Sequence, residues 1–126
     1  MKYPHRHRDI AYYLGYLSNA SYQEKAWVQG KVFHPTETID DIVHFFFDDT
    51  GLADDVDECV GLYVRDAREA AYIRSVVEAM DIVLNKYGTK SKDAEYVTTP
   101  EWQHVLVTAK AALAVVSEPG PGGEPA

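Results

Sequence analysis

Apolar positions along this chain fall mostly at helical spacing. Ala70, Ile73, Val77, Met80, Leu84 and Tyr87 recur at alternating steps of three and four, which is the seam of a long amphipathic helix. Asp66 stands before it as an N-cap with Glu69 three residues on, and Gly88 follows as a stop. Ile10, Tyr13, Leu14 and Leu17 predict a first helix from about Arg8 to Ser18. Ser21-x-x-Glu24 reads as a capping box opening a short second helix through Trp27 and Val28, with Gly30 ending it. Thr38 is a plausible N-cap for a third, since Asp40 and Asp41 suit the helix dipole and Ile39, Ile42, Val43, Phe46 and Phe47 follow at helical steps. Thr99-Pro100-Glu101 opens the last helix, whose inner face is Trp102, Val105, Leu106, Ala109, Leu113 and Val116.

Between these elements the pattern is less regular. Lys31 to Phe33 reads as extended, and Pro35 biases His34 away from helix. The run 42–47, IVHFFF, also suits a strand, and Val60 to Val64 reads as a brief strand or an extended lead-in. Asp48-Asp49-Thr50-Gly51 is a turn, and residues 89–98 form a polar loop with Tyr96 and Val97 pinned to the body. The expected architecture is mainly α. It is a compact bundle of about five helices over residues 1–118, with short strands near 42–47 and 60–64 as the alternative, then a flexible Pro/Gly tail over 119–126.

Composition places the chain among globular single domains: 126 residues, 46% hydrophobic and 25% charged. No apolar run is long enough for a transmembrane helix, and no apolar h-region follows the basic start. The single cysteine, Cys59, rules out an internal disulfide framework and reads as a buried structural thiol. These features together predict a cytoplasmic protein.

Charge changes the picture most. Residues 32–64 contain no Lys or Arg and nine carboxylates, so this quarter of the chain holds more than the whole net charge of −8. Such concentration weakens a compact fold by self-repulsion unless something outside benefits. It makes nucleic acid and anionic membranes poor partners and a basic protein a good one. Asp48, Asp49, Asp54, Asp55 and Asp57 are the partner-binding candidates; a purely solubilising loop is the bland reading.

Other chemistry is sparse. Asp40, His44 and Asp48 stand at i, i+4 and i+8, so on a helix they share one stripe that could bind a divalent cation or supply an acid and a base. An ordinary solvated face has the same composition. The acidic loop does not follow EF-hand register. There is no HExxH, no CxxC, no nucleophile elbow and no Gly-rich phosphate loop. No catalytic residue and no cofactor is predicted. His5 and His7 in the basic start could catch a metal, dock on the acidic segment, or do nothing. Tyr12 and Tyr16 lie four apart, opposite the Ile10/Leu14/Leu17 face, and are either core aromatics or an interface that would make a homodimer.

Three stretches, HFFFDDT (44–50), VGLYVRDAREAAYIRSVVEAMD (60–81) and DAEYVTTPEWQHVLVTAKAALAVV (93–116), resemble in order a group of small acidic actinobacterial proteins of unknown function. The likeness covers most of residues 8–116, and the basic, His-rich start departs from it. The resemblance implies a bacterial cytoplasmic protein and supplies no catalytic residues. The function expected from size, acidity and the absence of a catalytic motif is a small binding module that inhibits or neutralises a basic partner, in the manner of an immunity protein or antitoxin.

Overall fold

The computed structural model describes residues 1–30 and 38–119. The extended reading of 31–33, the Pro35 effect, Glu37 and the tail beyond Pro119 lie outside them. The described residues form a mainly α fold of six helices with no β-sheet. These are α1 (Pro4–Leu17), α2 (Ala20–Gln23), α3 (Ile39–Val43), α4 (Ala67–Tyr87), α5 (Asp93–Val97) and α6 (Trp102–Val116). Helix α2 runs on into a π-helical turn over Glu24–Val28, and α3 into another over His44–Asp49.

Helix α6 lies at the centre and packs against both α1 and α4. Its buried side is Trp102, Val105, Ala109, Ala112, Val115 and Val116. Two alanines at mid-helix let the neighbouring backbones approach closely. Ile10, Leu14 and Leu17 from α1 and Ile73, Val76, Met80 and Val83 from α4 close the core around it. The α4 seam is wider than its sequence repeat suggests. Val76, Ala79 and Val83 are buried as well, because α4 is covered by α6 and also touches the 3-10 turn Asp57–Cys59.

The alternatives left open in the sequence are settled toward helix and turn. Residues 42–47 are helical, since Thr38 starts the helix with a full capping box and Ile39, Ile42, Phe45 and Phe46 all turn inward. Residues 60–64 are not a strand but a tight turn. The Gly61 N–H donates to Val64 O at 2.8 Å, and an isolated bridge pairs Val60 with Val64.

Four boundaries differ from expectation. Helix α1 begins at Pro4, at the first helical position, because the Lys2 and Tyr3 N–H groups donate to Gly61 O and Leu62 O and tie the start down. Asn19, not Ser21, caps α2 by accepting from the Tyr22 N–H. Residues 93–97 of the expected loop are helical. The Thr99 hydroxyl donates to Tyr96 O instead of capping α6.

Candidate functional site

The acidic face is built on α3 and the loop that follows it. The Thr38 hydroxyl accepts from the Asp41 N–H, and the Asp41 carboxylate accepts from the Thr38 N–H at 2.9 Å. The helix so started buries Ile39 and Ile42, which leaves Asp40 and His44 outside. The wider π turn then lets the adjacent Phe45 and Phe46 both face inward while Asp48 and Asp49 remain on the surface. Such turns are rare and often occur at functional sites.

Asp40, His44 and Asp48 do share one stripe. His44 Nδ1 is 2.6 Å from Asp48 Oδ2, and Nε2 is 3.6 Å from Asp40 Oδ2. The Asp48 hydrogen bond, followed by the Asp40 charge, raises the His44 pKa above its ordinary value. The imidazole is thus held toward its doubly protonated form, a bridge between two carboxylates. Among the described residues no group of three or more His, Cys, Asp or Glu is arranged to hold a metal ion.

Beyond the π turn, Gly51 at φ +70° reverses the chain, and its carbonyl accepts from the Asp54 and Asp55 N–H groups. Leu52 and Val56 anchor the loop in the core. The Asp55 carboxylate accepts from the Asp57 and Glu58 N–H groups and so caps the 3-10 turn. Asp57 pairs with Arg74 of α4 at 2.7 Å. All five candidate aspartates are exposed. Asp48 is held by His44 and Asp57 by Arg74, whereas Asp49, Asp54 and Asp55 form no ion pair among the described residues. A cleft of about 220 Å³ is lined by Asp54, Asp55 and Asp57, with Arg74 and Glu78 of α4 also on it and Leu52, Val56 and Val77 as its apolar residues.

Tyr12 is 49% exposed, while Tyr16 packs against the core margin. Their hydroxyls lie 3.3 Å apart. The rings of Tyr12, Tyr16, Tyr22, Trp27 and Trp102 follow one another edge-to-face. Tyr13 lies against Phe45 with ring centroids 4.3 Å apart, so this aromatic cluster adjoins the acidic helix.

Sequence reading missed the buried polar groups. His7, far from lying on a loose end, is buried, with Nε2 2.9 and 3.0 Å from the two carboxylate oxygens of buried Glu69. Glu69 also accepts from the Arg65 N–H, so its half of the capping box reaches one residue further back than usual. The signal was present: positions 7, 10, 14 and 17 lie on one helical stripe, as do 69, 73, 76, 80 and 83. Gln23 carried no such signal. It donates to the Tyr16 and Leu17 carbonyls and accepts from Trp102 Nε1. Cys59 is buried as expected, and its neighbour Tyr63 donates to Thr50 O, with burial as the main cause pushing that phenol up to about 12.

No helix among the described residues is long and apolar enough to cross a membrane. No curated protein and no solved structure matches the chain. A family match does extend over residues 1–121 and takes in the basic, His-bearing start, which therefore lies within the shared domain. The chain belongs to the family described as Domain of unknown function (DUF7945).

Proposed function

We propose that this chain is a small bacterial protein-binding module that neutralises a basic partner protein through its Asp-rich face. The observation that carries the reading is the exposure of Asp48, Asp49, Asp54, Asp55 and Asp57 along the π turn and the loop that follows it, with Asp49, Asp54 and Asp55 paired with no cation among the described residues. Leaving charges of one sign unmatched costs stability, and a cationic counterpart offsets that cost. The unmatched aspartates would steer encounter, and those desolvated in the complex would hold it. Removing one partner of a desolvated pair costs about 2–5 kcal/mol, whereas a rim charge mainly changes the on-rate.

The test begins with crosslinking in the native host to identify the partner. Affinity is then compared for the natural chain and a variant with all five aspartates replaced by Asn, across a salt series. The expected result is a steep loss of affinity with salt for the natural chain, and weak, salt-insensitive binding for the variant. Equal affinities with a flat salt response would sink the reading. Adding Tyr12→Ala in a second variant asks whether the neighbouring exposed ring takes part.

A competing reading, a divalent-cation site on Asp40, His44 and Asp48, rests on their shared stripe alone, since His44 itself bridges the two carboxylates. Thermal shift with Mg²⁺, Mn²⁺ and Zn²⁺ on untagged protein tests it. That reading requires stabilisation by an ion that disappears in His44→Ala.

A further inference from the structure

A second cleft, of about 240 Å³, lies away from the Asp-rich loop, between the first turn of α3 and the chain joining α4 to α5. Its floor is apolar, with Val43, Leu84 and Tyr96 among the residues lining it. Its rim carries both signs of charge, with Asp40 and Asp93 contributing carboxylates and Lys90 an ammonium.

The two acids are not equivalent. Asp40 is exposed and loosely held by His44 at 3.6 Å. Asp93 is half-buried and accepts from the Ile39 N–H. Burial, together with the charges of Asp40 and Asp41, raises the Asp93 pKa even so. A cation between Asp40 and Asp93 would relieve that repulsion, and no Lys or Arg among the described residues pairs with either. Lys90 is exposed and forms no ion pair among the described residues, so the cleft presents an unmatched ammonium, the carboxylate of Asp93 without a basic partner, and that of Asp40, which only His44 touches at 3.6 Å.

The size limits the occupant. Pockets for drug-sized ligands run to roughly 300–1,000 Å³, and this one is smaller. Its chemistry asks for three things together: an ammonium for the carboxylates, an anion for Lys90 and a compact apolar group for the floor. We propose that the cleft binds a small zwitterion with an apolar side group, of the class of the branched-chain amino acids, with its ammonium at Asp93 and Asp40, its carboxylate at Lys90 and its side chain on Val43, Leu84 and Tyr96. The cleft's lining shares no residue with the five partner-binding aspartates, so its test is separate from that of the partner-binding reading.

The test is an NMR titration of the ¹⁵N-labelled full chain with three probes. These are L-leucine, isopentylamine (which lacks the carboxylate) and 4-methylpentanoate (which lacks the amine). The expected result is saturable shifts at the Val43, Leu84 and Asp93 amides with leucine, and binding weaker by about tenfold for each truncated probe. Asp93→Asn should weaken leucine by about tenfold, the scale of one lost charge contact. Because Asp93 also receives the Ile39 N–H, a second variant is needed that leaves the fold untouched. Lys90→Met is that variant, and it should reduce leucine to the level of isopentylamine without altering the isopentylamine titration. Absence of saturable shifts, truncated probes that bind as tightly as leucine, or a Lys90→Met variant that binds leucine as the natural chain does would each overturn the proposal.

Discussion

The buried side chains His7, Gln23, Thr50 and Glu69 are each answered by partners, and the answers have different energies. The Glu69 carboxylate is held by His7 Nε2, by the Arg65 N–H and, at 3.9 Å, by Arg65 Nε. Breaking a buried ion pair outright costs about 3–5 kcal/mol. Here Arg65 remains after His7 is lost, so His7→Leu should cost nearer the value of one hydrogen bond to a charged group, about 1.5–3 kcal/mol, read from the urea midpoint at constant m. On the surface, the two carboxylates that bracket His44 raise its pKa above 6.5. A ¹H–¹³C titration should show that shift, and Asp48→Asn should remove most of it, because the Asp48 hydrogen bond is the larger cause. The linkage sign follows. The stabilisation from this contact is complete below 6.5 and is lost as pH rises through the raised folded value.

At the scale of elements, chain reversals and helix ends set the frame. Gly88 ends α4 at φ 82°, ψ 178°, a region that is essentially Gly-only. A Cβ there would meet nothing within 4 Å. Gly88→Ala should therefore cost about 1–3 kcal/mol through backbone conformation alone, with no shift of neighbouring side chains. Equilibrium unfolding measures the cost, and unchanged methyl chemical shifts in the core separate it from a clash. The second π turn has a packing cause rather than a propensity one. At His44–Asp49 the wider turn lets consecutive phenylalanines share the core while the following aspartates stay outside.

For the whole molecule, part of the acid response comes from the tie between the two longest helices and part from the Arg68–Glu118 pair, whose carboxylate is also held below its ordinary value. Glu101, just before α6, accepts from Lys86 Nζ at 2.7 Å and from the Tyr87 hydroxyl at 2.6 Å, both in the last turn of α4. The Lys86 hydrogen bond first, then that of Tyr87, pulls the Glu101 pKa from 4.5 to about 2. Its folded value lies below the unfolded one, so its stabilisation is present above about 4.5 and is lost as pH falls toward 2. Glu101→Gln should lower the slope of that part of the stability curve, measured by urea unfolding at a series of acid pH values, and leave the near-neutral stretch with its original slope; the basic limb should change too, because Glu101 is the first cause raising the Lys86 and Tyr87 pKa values.

How much of this could be read in advance depends on how far apart in sequence the interacting groups lie. Helical seams and caps are local, because residues three and four apart meet on a helix face and a cap reaches only three residues. The α4 repeat, the Thr38 and Asp66 caps and the Gly88 stop were therefore legible, as was the outward placement of Asp48, Asp49, Asp54, Asp55 and Asp57. The alternation at 42–47 was ambiguous because a run of bulky apolar residues satisfies both a strand and a buried helix. Thr38 and the core beneath it resolved the choice.

What only the tertiary structure decided are contacts between groups distant along the chain. His7 meets Glu69 across 62 residues and Trp102 meets Gln23 across 79. The start of the chain becomes helical because its first N–H groups find Gly61 and Leu62. The bipolar cleft exists only because the loop after α4 returns to the first turn of α3. Local sequence determines which face of a helix is apolar; which buried polar atom finds a partner depends on packing that brings remote segments within 3 Å of each other.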